Sequence, residues 1–343
     1  MIPQIIAIFK DSYNLLKSGK LFWMSFVIIA LFGIVFLSIS NDENGLNLFF
    51  GLVKINLPLL TKGSMGFKLF YFGIFDNILI GLLLTWIVPI LGLISTSTLF
   101  PDFMKQGSVD VALSKPISRT RLFTLKYLGG LLFVLLQVGL FSIFLYLCMG
   151  IRLDDWSPKI FLIIPIVTLV FSYLYVVNVF WGVLTRTPII SLTLTLMFWF
   201  VVWGIQSAET AMNQFTIAYE LRVERAAEQE GFEKHREKLE GELEQIKFWH
   251  STIYYIHLAF PKIKETTNLV SRYVVPDSEE FFKKMMSRNK KSKSSTAEQD
   301  KEIKRKLKDK FKERSLWYVI GSSLVFELMV FAMGCWLFSR RDY

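Results

Sequence analysis

Two cysteines and three histidines are all that this 343-residue chain offers for soft metal ligation or thiol chemistry. Cys148 and Cys335 both fall inside apolar runs. That argues against a disulfide framework or a thiolate metal site, and both read as small packing residues. His250 and His257 are seven apart and would share a helical face, but no cysteine lies near them and their neighbours are aromatic. No His-Glu-x-x-His pair and no Gly-x-Ser-x-Gly elbow occurs, so neither zinc hydrolysis nor acyl transfer has positive support. The Gly-x-x-x-x-Gly-Lys-[Ser/Thr] loop that cradles nucleotide phosphates is absent as well. No catalytic residue, metal or cofactor is expected. Residues 1–20 lack the compact apolar core and small-residue cleavage site of a secretory signal, so they are expected to remain in the mature chain.

Apolar sequence is what the chain has in quantity. Hydrophobic residues make up 52% of it and aromatics 15%, and runs of about 20 such residues suffice to cross a bilayer core. The runs predict six spans: Leu21 to Ile39, Ile78 to Thr98, Tyr127 to Met149, Ile160 to Leu184, Pro188 to Ile205 and Leu316 to Phe338. Pro89 is expected to kink the second and Pro165 to interrupt the fourth. Ahead of the first span, Ile2, Ile5, Ile6, Phe9, Tyr13 and Leu16 share one face at helical spacing. Residues 1–20 therefore read as an amphipathic helix, lying in the membrane interface or packed on protein. Residues Leu46 to Gly73 read as a loop with a short apolar piece.

The net charge of +10 is uneven. Between Phe281 and Arg314 there are 14 Lys/Arg against 5 Asp/Glu, so the rest of the chain is almost neutral. The basic balance thus belongs to one tract, and no nucleic-acid partner is expected. Elsewhere the Lys/Arg of the short loops (Lys10, Lys17 and Lys20; Lys105 to Lys126; Arg186; Arg340 and Arg341) all fall on one side if there are six spans. The positive-inside rule makes that side cytoplasmic, with both termini there. Residues 206–315 are then extracytoplasmic. Glu209 to Lys247 should be helical, with Gly231 and Gly241 interrupting it. Phe248 to Pro261 is too short to span and too aromatic for a solvated loop, so it reads as an interfacial or re-entrant helix. The basic tract would prefer the cytoplasm. Putting it there needs a seventh span, and the 13 residues from Phe248 to Phe260 are too few.

Between the second and third spans lies a polar, basic elbow, Leu99 to Lys126. Gly107 and Ser108 break one helix and cap the next. Val109, Val111, Ala112 and Leu113 give a short helix an apolar side, Pro116 stops it, and Ser118 caps the following span. Gly107-Ser108, then Leu113-Ser114-Lys115-Pro116-Ile117-Ser118-Arg119, then Lys126, resembles the first cytoplasmic loop of ABC-2 type transporter permeases. The closing Ser339-Arg340-Arg341-Asp342-Tyr343 is similar to permeases associated with multicopper-enzyme maturation. One departure stands out: where the family usually has acidic residues before the glycine, this chain has Lys105 and Gln106.

The resemblance implies an all-α membrane protein of six transmembrane helices in the cell (inner) membrane. It would have an N-terminal interfacial helix (1–20), spans one to five with the coupling loop (21–205 with 99–126), a large extracytoplasmic helical insertion (206–315, with the aromatic segment 248–261) and a last span with a cytoplasmic C-terminus (316–343). It also implies a coupling helix that docks on a separate ATP-binding cassette subunit through Gly107, Val109, Ala112, Leu113, Ser114, Lys115, Pro116, Arg119 and Arg121. A second permease copy or a related permease, and membrane lipids, complete the expected partners. Glu327, mid-way along the last span, is a candidate for the translocation path together with Asn178 and Gln137. The alternative for Glu327 is a protonated packing group bonded to Asn178 or Gln137. A different class of function is also open: a non-transporting anchor or mechanotransducer acting on a periplasmic or surface partner.

Overall fold

The computed structural model describes residues 10, 13, 14, 17, 20–104, 117–227, 233–274, 306 and 315–340. Five helices are long and apolar enough to cross a membrane, at Met65–Phe103, Arg119–Leu153, Pro158–Thr185, Pro188–Glu224 and Trp317–Arg340, and a shorter apolar helix precedes them. The chain divides into two compact units. One comprises Met1–Leu196, Glu265–Phe282 and Glu327–Tyr343; the other comprises Met197–Lys264 and Lys283–Phe326.

The first unit begins with α1 (Lys20–Leu37), apolar throughout. A three-stranded antiparallel sheet follows: β1 (Ser40–Asp42), β2 (Gly45–Leu48) and β3 (Val53–Asn56), with Ser40 opposite Asn47 and Leu46 opposite Ile55. Gly45 is required there. Its φ is +142°, and a Cβ on it would run into the Ile55 carbonyl. Helix α2 (Met65–Phe103) starts at Ser64, whose hydroxyl accepts from the Phe67 N–H. Its middle is wound as a π-helix, Phe75–Ile87, and regular α-helix resumes at Val88, where Pro89 occupies a first-turn position that needs no N–H.

Helix α3 (Arg119–Leu153) is capped by Ser118, whose hydroxyl accepts from the Arg121 N–H. At its far end Arg152 donates from Nε at 3.0 Å to the carbonyl of Leu37, the last residue of α1. A cation placed at a helix C-terminus satisfies an orphan carbonyl and complements the helix dipole. Helix α4 (Ile163–Thr185) runs antiparallel to α3 after a 3₁₀ turn, Pro158–Leu162. Pro165 lies in its first turn and costs no hydrogen bond there. A Cβ at Gly130 on α3 would collide with the Tyr175 hydroxyl of α4, so the glycine sets how closely the two helices approach. Aromatic rings fill the space that results: Tyr127 stacks on Tyr175 at 5.1 Å and Phe171 on Tyr175 at 5.2 Å.

Helix α5 (Pro188–Ala227) is one unbroken 40-residue helix, about 60 Å long at 1.5 Å per residue. Within the second unit, Lys247 of α6 (Glu233–Leu258) pairs with Glu220 of α5 at 3.3 Å. Helix α6 ends at a turn before α7 (Ile263–Val274), and Gln206 of α5 holds that turn. Its Nε2 donates to the Pro261 carbonyl at 2.7 Å and its Oε1 accepts from the Lys264 N–H at 3.0 Å. The Lys262 N–H donates to the Ser323 hydroxyl at 2.9 Å. Helix α8 (Ser322–Arg340) closes the chain after a π turn, Trp317–Gly321.

Several expectations change. The loop expected over Leu46 to Gly73 holds the sheet and the first turns of α2. Apolar content alone does not mark three- and four-residue strands. The helix of the fifth span does not stop near Ile205 but runs on to Ala227, because Gln206 to Ala227 contains no proline or glycine to stop it. Gly241 lies inside α6 without interrupting it, and Pro165 opens α4 rather than breaking it. Residues 1–9, Gly231 and the centre of the basic tract lie outside the described residues. So does the coupling helix, including Gly107, Val109, Ala112, Leu113, Ser114, Lys115 and Pro116.

Candidate functional site

Glu327 lies near the middle of Trp317–Arg340, the last apolar helix. An acidic side chain at that depth needs partners, water or neutrality. Two partners come from two different helices. The Tyr127 hydroxyl of α3 donates to Glu327 Oε1 at 2.7 Å, and the Ser172 hydroxyl of α4 lies 2.9 Å from Oε2. Ser172 Oγ also lies 2.8 Å from the Leu169 carbonyl. A hydroxyl has one proton to give, so a carboxylate and that carbonyl compete for it. A carboxyl carrying its own proton would donate to Ser172 Oγ instead and free the serine proton for the Leu169 carbonyl.

Below this cluster the same two helices are tied again. Arg119, the first residue of α3, donates from Nη1 to the Ser339 carbonyl near the end of α8 at 3.1 Å. Between the two ties, the Phe123 ring packs on Phe331 at 5.2 Å and on Phe338 at 5.6 Å. Helices α3 and α8 are therefore joined at both ends of an aromatic seam. Lys126 is buried on the same stretch of α3, with its ammonium 4.6 Å from the centre of the Phe103 ring at the end of α2.

The other expected path residues are not brought to Glu327 by any hydrogen bond. Asn178 donates to Thr195 Oγ1 at 3.4 Å and joins α4 to α5, the role of a polar packing residue between spans. Gln137 is fully buried, and neither of its polar side-chain atoms has a hydrogen-bond partner among the described residues. Of the expected elbow residues, Arg121 is exposed, and Arg119 turns inward to Ser339. Tyr127, Ser172 and Ser339 escaped sequence reading. One signal was available: α3 starts on the side where α8 ends, so residues near position 127 and near position 327 come to one level.

Among the described residues no group of three His, Cys, Asp or Glu could hold a metal ion. The cluster at Glu327 offers one carboxyl and two hydroxyls, a set suited to binding and positioning within a helical bundle.

These features define a multi-pass, helical membrane protein with a polar cluster inside its bundle. The chain belongs to the ABC-2 family of transporters: the family model described as ABC-2 family transporter protein matches residues 6–343. It is thus a permease-type membrane subunit, and the family is not itself catalytic. No curated protein and no solved structure matches the chain.

Proposed function

We propose that this chain is the permease subunit of an ABC-2 transporter driven by a separate ATPase, with Glu327 on its substrate path. Two copies, or one copy and a related permease, would pair with two ATPase subunits in the cell membrane. The observation that carries this reading is the double tie of α3 to α8. The first residues of helix α3, from Arg119, form the last part of the elbow. A push on the elbow would reach α8 through Arg119 and Ser339, and reach Glu327 through Tyr127. ATP-driven closure of the ATPases then biases a two-state element that contains both the docking loop and the mid-membrane carboxyl. In the elbow, Val109, Ala112 and Leu113 supply the apolar contact, and Lys115 and Arg121 steer an acidic partner surface.

Six spans with cytoplasmic termini would put residues 206–315 on the extracytoplasmic side. The turn after α6 supports a re-entrant path for the aromatic segment. A break in a helix at membrane depth needs its backbone groups satisfied by protein, and Gln206 and Ser323 do this at Pro261, Lys262 and Lys264.

One observation favours the alternative of a mechanotransducer working on a periplasmic or surface partner. Helix α5 is about twice as long as a bilayer core requires, and its distal half is braced against α6. The test between the readings is Glu327→Gln in the reconstituted permease–ATPase complex. A transporter with Glu327 on its path should keep its assembly and change its transport rate. An unaltered rate would leave Glu327 as a packing group.

A further inference from the structure

We infer that the sheet after α1 is a membrane-interface foot, whose turn before β3 seats in the headgroup and acyl boundary of the bilayer. The sheet is amphipathic from one end to the other. Its β1–β2 turn is polar, with Asp42, Glu43 and Asn44 all exposed. The opposite side is apolar and equally exposed. Phe49 and Phe50 are exposed in the β2–β3 turn, both with left-handed backbone (φ 51° and 57°), and Leu52 beside them is 87% exposed. Val53, the first residue of β3, continues the surface, whereas Leu57 and Leu59 lie past the other end of the strand, beside Gly45 and the polar turn. In water such an edge invites aggregation, and a contiguous apolar patch of this kind marks an interaction surface.

The depth of the patch identifies its occupant. Helix α1 has 18 residues, about 27 Å of helix, just short of the roughly 30 Å hydrocarbon core. Its end lies at the bilayer boundary, where Arg152 binds the Leu37 carbonyl and Asp154 and Asp155 follow on the same loop. The Phe50 N–H donates to the carbonyl of Ser38, the next residue after Leu37, at 3.3 Å. That bond fixes both phenylalanines one turn beyond the exposed Ile34 and Val35 of the apolar helix α1. A protein strand added to β3 would cover its backbone edge and leave Phe49, Phe50 and Leu52 bare. Lipid covers all of them. The free backbone edge of β3 needs water or headgroups, so the foot lies in the interface and does not enter the hydrocarbon core. Exposed Lys54, on β3 next to Val53, is placed to meet lipid phosphates. Only the leaflet, the outer one, rests on the topology proposed above.

The test uses the full chain in lipid vesicles, with Cys148→Ser and Cys335→Ser as background. Leu52→Cys and, as control, Asn44→Cys each carry a fluorophore. Phosphatidylcholine bearing a nitroxide near its headgroup is the quencher. Quenching should be several-fold stronger at position 52 than at 44, and iodide in the buffer should show the reverse order. Equal behaviour at the two positions, or protection at 52 that appears only with a bound partner protein, would overturn the proposal. Quencher confined to one leaflet separates the two claims. Strong quenching at 52 from the cytoplasmic leaflet alone would keep the foot and refute the topology.

Discussion

The Tyr127 hydroxyl and the Glu327 carboxyl meet 2.7 Å apart although 200 positions separate them in the sequence. Their contact joins the span that follows the elbow to the last span of the chain. If the contact is direct, its removal from either side should not be additive. Tyr127→Phe and Glu327→Leu, which leaves no acceptor, should each lower the stability of the detergent-solubilised permease by about 1–2 kcal/mol, and the double variant by clearly less than the sum. Thermal melting of the four proteins gives the coupling energy. A value of zero would mean that the two groups do not interact.

Arg119 tests transmission separately from docking. Arg119→Ala removes a charge-assisted bond to the Ser339 carbonyl, a contact of about 1.5–3 kcal/mol. The variant should still bind its ATPase, and substrate should stimulate hydrolysis less. Loss of ATPase binding with normal coupling in whatever complex remains would make Arg119 a docking residue instead.

Gln206 satisfies two backbone groups at the Pro261 turn. Gln206→Ala leaves the buried Pro261 carbonyl without its partner, at a cost of about 1–3 kcal/mol, and frees the half-buried Lys264 N–H. Opening should be local. Limited proteolysis and amide exchange should rise in residues 255–270, with α3 and α4 unchanged. A uniform rise across the protein would show that the turn is not an independent element.

Topology is read from thiol accessibility. In a chain with Cys148→Ser and Cys335→Ser, Ser294→Cys should react with an impermeant thiol reagent in intact cells, and Thr187→Cys should be protected. Thr187 is exposed in the α4–α5 turn and serves better than Ser118, whose hydroxyl caps α3 and whose loss would cost about 1 kcal/mol. The opposite labelling pattern would invert the proposed orientation.

Long apolar runs made most spans legible, because a bilayer demands length and hydrophobicity and little else. Ser118 was legible as a cap from its place before an apolar run. The far end of α5 was not. Polarity changes at Gln206 where the membrane would end, but the helix has no reason to stop there. The sheet was hidden because its strands are only three or four residues long, and its exposed apolar residues follow no alternation against a core. At Glu327 the sequence shows an anomalous carboxyl and hides its partners. Tyr127 and Ser172 are ordinary residues in apolar helices until helix direction and register set them at one level. Asn178 and Gln137 stood out as polar residues in spans, yet one bonds to Thr195 and the other makes no hydrogen bond among the described residues.

The central claim is that a separate ATPase drives this permease through the elbow, and Leu113→Asp tests it most directly. Burying one leucine at the contact is worth about 1.5–3 kcal/mol, and a carboxylate in the same place adds a desolvation cost. Tagged permease is purified from cells that also produce the ATPase, and bound ATPase is measured by titration. Wild-type permease should bring the ATPase with it. The variant should insert normally and bind at least about tenfold more weakly, the factor given by roughly 1.4 kcal/mol. Wild-type affinity in the Leu113→Asp permease, or a stable wild-type permease that recruits no ATPase at all, would contradict the claim.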